Sequence, residues 1–144
     1  MQPDEYPKLY RYRRLVQAKL FIDQHFTEKI NLNAIADEAY FSKYHFIRLF
    51  KTSYGYTPHQ YLIRLRIEKA RLLLSRPTLR IEDVSYAVGF ESLYSFSLLF
   101  KKQIGQTPTQ FRQHSLDRTR RLRLEPRAFI PSCLSSSGYV HDED

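Results

Sequence analysis

From Lys8 onward, apolar positions recur at helical spacing as Leu9, Tyr12, Val16, Leu20 and Phe21, with Leu15, Ile22 and Phe26 widening the stripe. The pattern predicts a helix with one buried face that ends near His25. Ahead of it lies a lead (residues 1–9) in which Pro3 and Pro7 disfavour a helix interior. Asn31 can cap a short helix with Leu32, Ile35, Ala36 and Ala39 facing inward. Tyr40 and Phe41 break that pattern, and Ser42 offers a second cap before Tyr44, Phe46, Leu49 and Phe50. A short helix, a tight turn and a second helix within about 22 residues match a helix-turn-helix.

The stretch from Phe41 to Leu62 returns, loosely rewritten, from Glu91 to Arg112. Aligned from Ser42 and Ser92, the copies share Tyr44/Tyr94, Phe46/Phe96, Leu49/Leu99, Phe50/Phe100, Lys51/Lys101, Gly55/Gly105, Thr57/Thr107, Pro58/Pro108 and Gln60/Gln110. Such a repeat implies one supersecondary unit built twice. In each Thr-Pro-x-Gln, Thr can cap, Pro suits the first helical position, and Gln can close a capping box. Gly55 and Gly105 can end the preceding helices in a left-handed conformation. The helix begun at Pro58 has a broad apolar face of Tyr61, Leu62, Leu65, Ile67, Ala70, Leu72, Leu73 and Leu74. Arg64, Arg66, Lys69, Arg71 and Arg76 decorate the remainder, and Ser75-Arg76-Pro77 stops it. Ile81, Val84, Ala87 and Val88 repeat the short helix, with Glu82 and Asp83 in its first turn and a turn at Gly89-Phe90. The expected organisation is a lead (1–9), a first helix-turn-helix subdomain (10–57), a linker helix (58–76), a second subdomain (77–115) and a tail (116–144). The tail is basic, then acidic, and expected to be loosely ordered.

Charge gives this small helical unit a direction. Lys and Arg number 23 against 15 Asp and Glu, a formal charge of +8, which favours a polyanionic partner. Cys133 is the only cysteine, so neither a disulfide framework nor a thiolate metal cluster is possible. The five histidines never fall at HxxxH or HExxH spacing, and there is no Gly-rich phosphate loop, nucleophile elbow or clustered carboxylate pair on a plausible catalytic scaffold. No catalytic residue, metal or cofactor is expected. No apolar run approaches the roughly 20 residues of a membrane span, and the amino terminus has no apolar signal core. The expected setting is the cytoplasm, in association with the nucleoid.

These residues resemble the DNA-binding domain of the AraC/XylS family of transcription activators over roughly Tyr10 to Ser115. The second half carries Ile81-Glu82-Asp83-Val84, Val88-Gly89-Phe90, Tyr94-Ser95-Phe96, Phe100-Lys101, Gly105, Thr107-Pro108 and Phe111-Arg112. The first half carries Leu32-x-x-Ile35-Ala36, Ala39, Ser42, His45-Phe46-x-Arg48-x-Phe50-Lys51, Gly55, Thr57-Pro58 and Tyr61-Leu62. The resemblance implies an all-α domain of about seven helices. Two homeodomain-like helix-turn-helix subdomains would be joined by a long central helix and act on bacterial promoters. It further implies activation through contact with RNA polymerase. A small-molecule effector would require a separate domain outside this chain. The chain is either a stand-alone regulator, which the Met1 start favours, or the DNA-binding half of a longer one.

A groove-reading helix uses its outward and N-terminal side chains. With Phe46, Leu49 and Phe50 inward, Lys43, Tyr44, Ile47 and Arg48 face the bases of duplex DNA, Arg48 being suited to bridge guanine O6 and N7. A salt bridge from Arg48 to Glu38 or Asp37 is the competing reading. In the second unit Leu93, Tyr94 and Ser97 take these places, and Leu98 stands where the resemblance leads one to expect Arg. Sequence reading is therefore expected to lean on the first unit. Phosphate contacts are assigned to Ser42, Lys51, Thr57, Ser92, Lys101, Lys102, Thr107 and Arg112, Lys101 and Arg112 being favoured by the resemblance; Arg64 adds charge, and Arg66 is as well explained by simple solvation. Two alternatives stay open: an RNA-binding protein, and a protein-interaction module whose second half has lost DNA reading.

Overall fold

Both Thr-Pro-x-Gln stretches start helices as their chemistry dictates. Thr57 Oγ1 accepts from Gln60 N at 3.2 Å while Gln60 Oε1 accepts from Thr57 N at 3.0 Å. Thr107 and Gln110 repeat both bonds at the same lengths. Each box satisfies two backbone donors left free at a helix start. Thr107→Ala is expected to cost about 1 kcal/mol, and Thr57→Ala about the same, because the geometry is shared. Urea unfolding of both variants checks this; a loss at one cap only would show that the two starts are not equivalent.

The computed structural model describes residues 5–33, 35 and 42–131. They form α1 (Glu5–His25), α2 (Lys43–Tyr54), α3 (Pro58–Leu74), α4 (Ile81–Ala87), α5 (Leu93–Ile104) and α6 (Pro108–Leu124), then a 3₁₀ turn at Pro126–Phe129. Leu32, Asn33 and Ile35 are also helical, and Asn31 Oδ1 accepts from Asn33 N at 3.0 Å to cap that turn. Ala36, Ala39, Tyr40, Phe41 and the acidic end fall outside the described residues. No strand occurs among those described, and the fold is all-α with close to the seven helices expected.

Helix α3 contacts each of the other five α-helices named above, and the apolar interior falls into two cores. One core gathers Leu15, Ala18, Ile22, Ile35, Phe46, Phe50 and Leu62; the other gathers Ile67, Ala70, Leu74, Val84, Val88, Phe90, Phe96 and Phe100. Phe46 meets Phe50 at 5.8 Å between ring centroids, and Phe96 meets Phe100 at 5.5 Å, both tilted. The duplicated aromatic pairs thus close the two cores in the same way, each buried ring contributing about 1.5–3 kcal/mol. Of the six aromatic residues that could be mistaken for a single-strand stacking set, Phe90, Phe96 and Phe100 are buried and Tyr54 and Tyr61 pack against the first cluster, while Tyr56 lies outside both cores.

Five expectations are corrected. The buried face of α1 is Leu15, Ala18 and Ile22, whereas Leu9, Tyr12, Val16, Leu20 and Phe21 are exposed. The helix offers two stripes at helical spacing, and the inner one, with Ala18 at its centre, is the one buried. Leu72, assigned to the apolar face of α3, is 68% exposed, and Ala87 of α4 is exposed while Ser85 is buried, its hydroxyl bonded to Glu82 O at 2.7 Å. Helix α1 begins at Glu5 with Pro7 in its first turn, where a missing N–H costs nothing. Helix α6 continues through Leu124, nine residues into the segment expected to be loosely ordered.

Candidate nucleic-acid interface

Helices α2 and α5 are built alike. Each has 12 residues. Ser42 Oγ accepts from His45 N at 3.3 Å, and Ser92 Oγ from Ser95 N at 3.1 Å. Each ends on a left-handed glycine, Gly55 at φ 80° and Gly105 at φ 84°, whose N–H bonds to the carbonyl of Lys51 or Lys101. Only glycine holds that conformation without strain. With both ends and the inner Phe pair fixed, the outer face of each helix is set by the sequence pattern alone.

On α2 that outer face presents Lys43, Tyr44, Arg48 and Lys51, all exposed, with Ile47 half-buried at its edge. Tyr44 is 81% exposed, with its ring turned to solvent. Among the described residues no carboxylate pairs with Arg48, and Glu38 and Asp37 lie outside them. On α5 the corresponding face presents Leu93, Tyr94 and Leu98, with Ser97 half-buried. Apart from the tyrosine hydroxyl these exposed side chains are apolar, and charge enters only at the helix end, through Lys101 and Lys102. The difference between the two helices is therefore chemical, not conformational.

The phosphate candidates separate into two groups. Lys51, Lys101 and Lys102 are exposed, and Ser42, Ser92, Thr57 and Thr107 sit at helix starts, where backbone N–H groups and the helix dipole favour an anion. Arg112 is different. Its Nε points back to Leu74 O at 3.4 Å, and its Nη2 is buried without a hydrogen-bond partner among the described residues. It ties α6 to the end of α3, which sets it apart from the exposed phosphate candidates. Arg66, read as decorating α3, is corrected: it is buried, with burial pulling its guanidinium below the ordinary value.

The structure also assembles a basic cleft that the repeat pattern did not reveal. Lys51 at the end of α2, Lys102 at the end of α5 and Arg64 of α3 line an open cleft of about 640 Å³ together with Tyr56, His59 and Gln103. The Arg64 guanidinium lies 4.9 Å from the Tyr56 ring centroid, which keeps the cation fixed while it remains charged and exposed. Its lining contains no carboxylate. Tyr56, His59 and Gln103 were missed because the repeat does not match at those places: their counterparts are Gln106, Thr109 and Ser53. The juxtaposition comes from α3 bringing two helix ends together.

Among the described residues no group of three His, Cys, Asp or Glu side chains gathers to hold a metal, and no helix is long and apolar enough to cross a membrane.

The helix-turn-helix domain family matches residues 35–114. Among curated proteins, the chain is 40% identical over 95 residues to the bifunctional transcriptional activator/DNA repair enzyme AdaA of Bacillus subtilis, covering 66% of this chain and 45% of that protein. It is 36% identical over 93 residues to the transcriptional activator RhaS of Escherichia coli, covering 65% of this chain and 34% of RhaS. The chain thus spans less than half the length of these relatives. Among solved structures, the DNA-binding domain of the global transcriptional factor AdpA, in complex with a target DNA, superposes with a TM-score of 0.65 at 26% identity, over 78% of this chain and 96% of that one. The C-terminal domain of AraT, a response regulator from Geobacillus stearothermophilus, gives a TM-score of 0.65 at 29% identity, over 70% of this chain and 84% of that one. With two matching cores, two capped outward helices and these relatives, the chain belongs to the AraC-type helix-turn-helix family of DNA-binding transcription regulators.

Proposed function

We propose that this chain binds duplex DNA sequence-specifically by placing α2 and α5 in successive major-groove segments, about 34 Å apart on one face of the duplex. The observation that carries the reading is the pair of identically capped 12-residue helices, each buried on its Phe-Phe side and open on the other. Lys43, Tyr44, Ile47 and Arg48 read bases on one side. Leu93, Tyr94 and Ser97 do so weakly on the other, through apolar contact with thymine methyls and single hydrogen bonds. Ser42, Lys51, Thr57, Ser92, Lys101, Lys102 and Thr107 hold phosphates, joined by Arg64 in the basic cleft. The site is asymmetric because its two readers differ. The function is binding rather than catalysis, carried out in the cytoplasm at the nucleoid. RhaS, by its name an activator, supports activation as the output, with RNA polymerase as the protein partner. Any small-molecule effector acts through a domain outside the residues present here. RNA binding and a DNA-independent interaction module are not favoured by relatives that are DNA-binding regulators.

Arg48→Ala is expected to weaken binding by about 1–3 kcal/mol and to relax preference at one guanine of the first half-site. Leu98→Ala should change affinity by less than about 0.5 kcal/mol. Fluorescence anisotropy on duplexes selected from a random pool, then mutated separately in each half, checks both. Equal losses from the two halves would end the claim of lopsided reading.

A further inference from the structure

We infer that Arg66 is a positioning residue that sets the distance between the two recognition helices and so selects the half-site spacing the protein accepts. The inference rests on the proposal that both helices engage DNA. Arg66 is 9% exposed on α3, between the two cores. Its Nε donates to Phe26 O at 2.6 Å and its Nη2 to Glu28 O at 2.8 Å. Both carbonyls belong to the segment that leaves α1 and leads into the first unit. The same guanidinium also meets the second unit, with its carbon 5.8 Å from the Phe90 ring centroid.

One planar cation therefore grips both units at once. Arginine's fork holds two carbonyl oxygens in a fixed geometry that a lysine cannot match. Burial makes the grip specific, since a buried guanidinium that lost its acceptors would be left desolvated and unpaired. Gly89 allows this approach: a Cβ there would lie 3.0 Å from Arg66 Nε and closer still to the backbone of the first unit. The other polar bridge between these segments, Lys29 to Glu91 at 3.3 Å, joins side chains 90% and 81% exposed and adds little rigidity. Alongside lies an open cleft of about 520 Å³ lined from both units by Thr27, Lys29, Phe90 and Glu91, so side-chain packing does not complete the junction. Among the described residues, Arg66 is the buried polar tie between the units besides α3 itself.

One inserted base pair moves a half-site by about 3.4 Å and turns it by about 35°. A rigid pair of readers rejects that change, and a loosened pair tolerates it. The test uses the full chain and duplexes whose half-sites are separated by the selected spacing or by one base pair more or fewer. The natural protein should favour one spacing by roughly tenfold or more, and Arg66→Met should shrink that preference to about twofold, while a duplex carrying only the first half-site is bound within about twofold of normal. A second readout needs no DNA. Spin labels at Ser53→Cys on α2 and Lys102→Cys on α5, in a Cys133→Ser background, should report a narrow distance distribution that Arg66→Met broadens. Should Arg66→Met fail to fold, Arg66→Lys decides by both readouts, with an intermediate loss of spacing preference expected. An unchanged distance distribution, or unchanged spacing preference in a folded variant, overturns the inference. Broadening in a protein that ignores the second half-site would instead sink the two-groove reading and leave Arg66 as a tie between units.

Discussion

Raising monovalent salt from 50 to 200 mM is expected to weaken binding to the selected duplex about a thousandfold. The estimate follows from counterion release: each phosphate neutralised on B-DNA contributes about −0.9 to the slope of log K against log salt. About six neutralised phosphates give a slope near −5, and a fourfold rise in salt then removes about three decades. The formal charge of +8 and the three cations of the basic cleft, Lys51, Arg64 and Lys102, are the physical source. Single substitutions refine the expectation. Lys51→Ala and Lys102→Ala should each reduce the slope by about 1 and weaken specific and nonspecific duplexes alike, the signature of a phosphate contact. Arg112→Ala should leave the slope unchanged, because that side chain is turned toward Leu74 O. Anisotropy titrations at four salt concentrations measure all of these; a slope near zero would exclude DNA as the ligand.

What the sequence made legible was local and repeated. Ser42, Thr57, Ser92 and Thr107 cap helices through bonds to residues three positions on, and Gly55 and Gly105 end them, so a short window contains the whole cause. Phe46, Phe50, Phe96 and Phe100 were readable as core because the repeat gave the same pattern twice. The outward residues followed by subtraction, and the structure leaves Arg48 and Tyr44 exposed as expected.

What was not legible depends on partners far along the chain. Arg66 has the sequence context of a surface cation on a long helix, and its acceptors at Phe26 and Glu28 are 40 and 38 residues away. Arg112 is claimed by Leu74 O, 38 residues away. In α1 two stripes satisfied the same periodicity, and the one that is buried shares its core with Phe46, Phe50 and Leu62, partners no local pattern records. Helix α6 outran its expected end because a run such as Arg118-Thr119-Arg120-Arg121 has adequate helix propensity despite its charge. The basic cleft belongs to the same class: its charges come from three helices, and only their packing makes them neighbours.

Gly89→Ala should be the most damaging of the glycine substitutions, costing about 3–4 kcal/mol against about 1–2 kcal/mol for Gly55→Ala or Gly105→Ala. All three glycines hold positive φ, 95°, 80° and 84° in the order named, so each alanine meets the left-handed penalty. At Gly55 and Gly105 a Cβ would stand in open space, and the backbone penalty is the whole cost. At Gly89 it would stand 2.8 Å from Phe26 O and 2.9 Å from Thr27 O, and both obstacles are backbone. Relief requires the loop after α1 to retreat, which also pulls the Phe26 carbonyl away from Arg66. For a domain whose total stability is of the order of 5–15 kcal/mol, that is a large fraction. Urea unfolding of the three variants measures the ranking. Losses that are equal at all three positions would mean that only the backbone conformation matters at Gly89 and that the two units do not press together there. A loss at Gly89 that exceeds the others, and is not additive with Arg66→Met, would show that one close approach between the units underlies both effects.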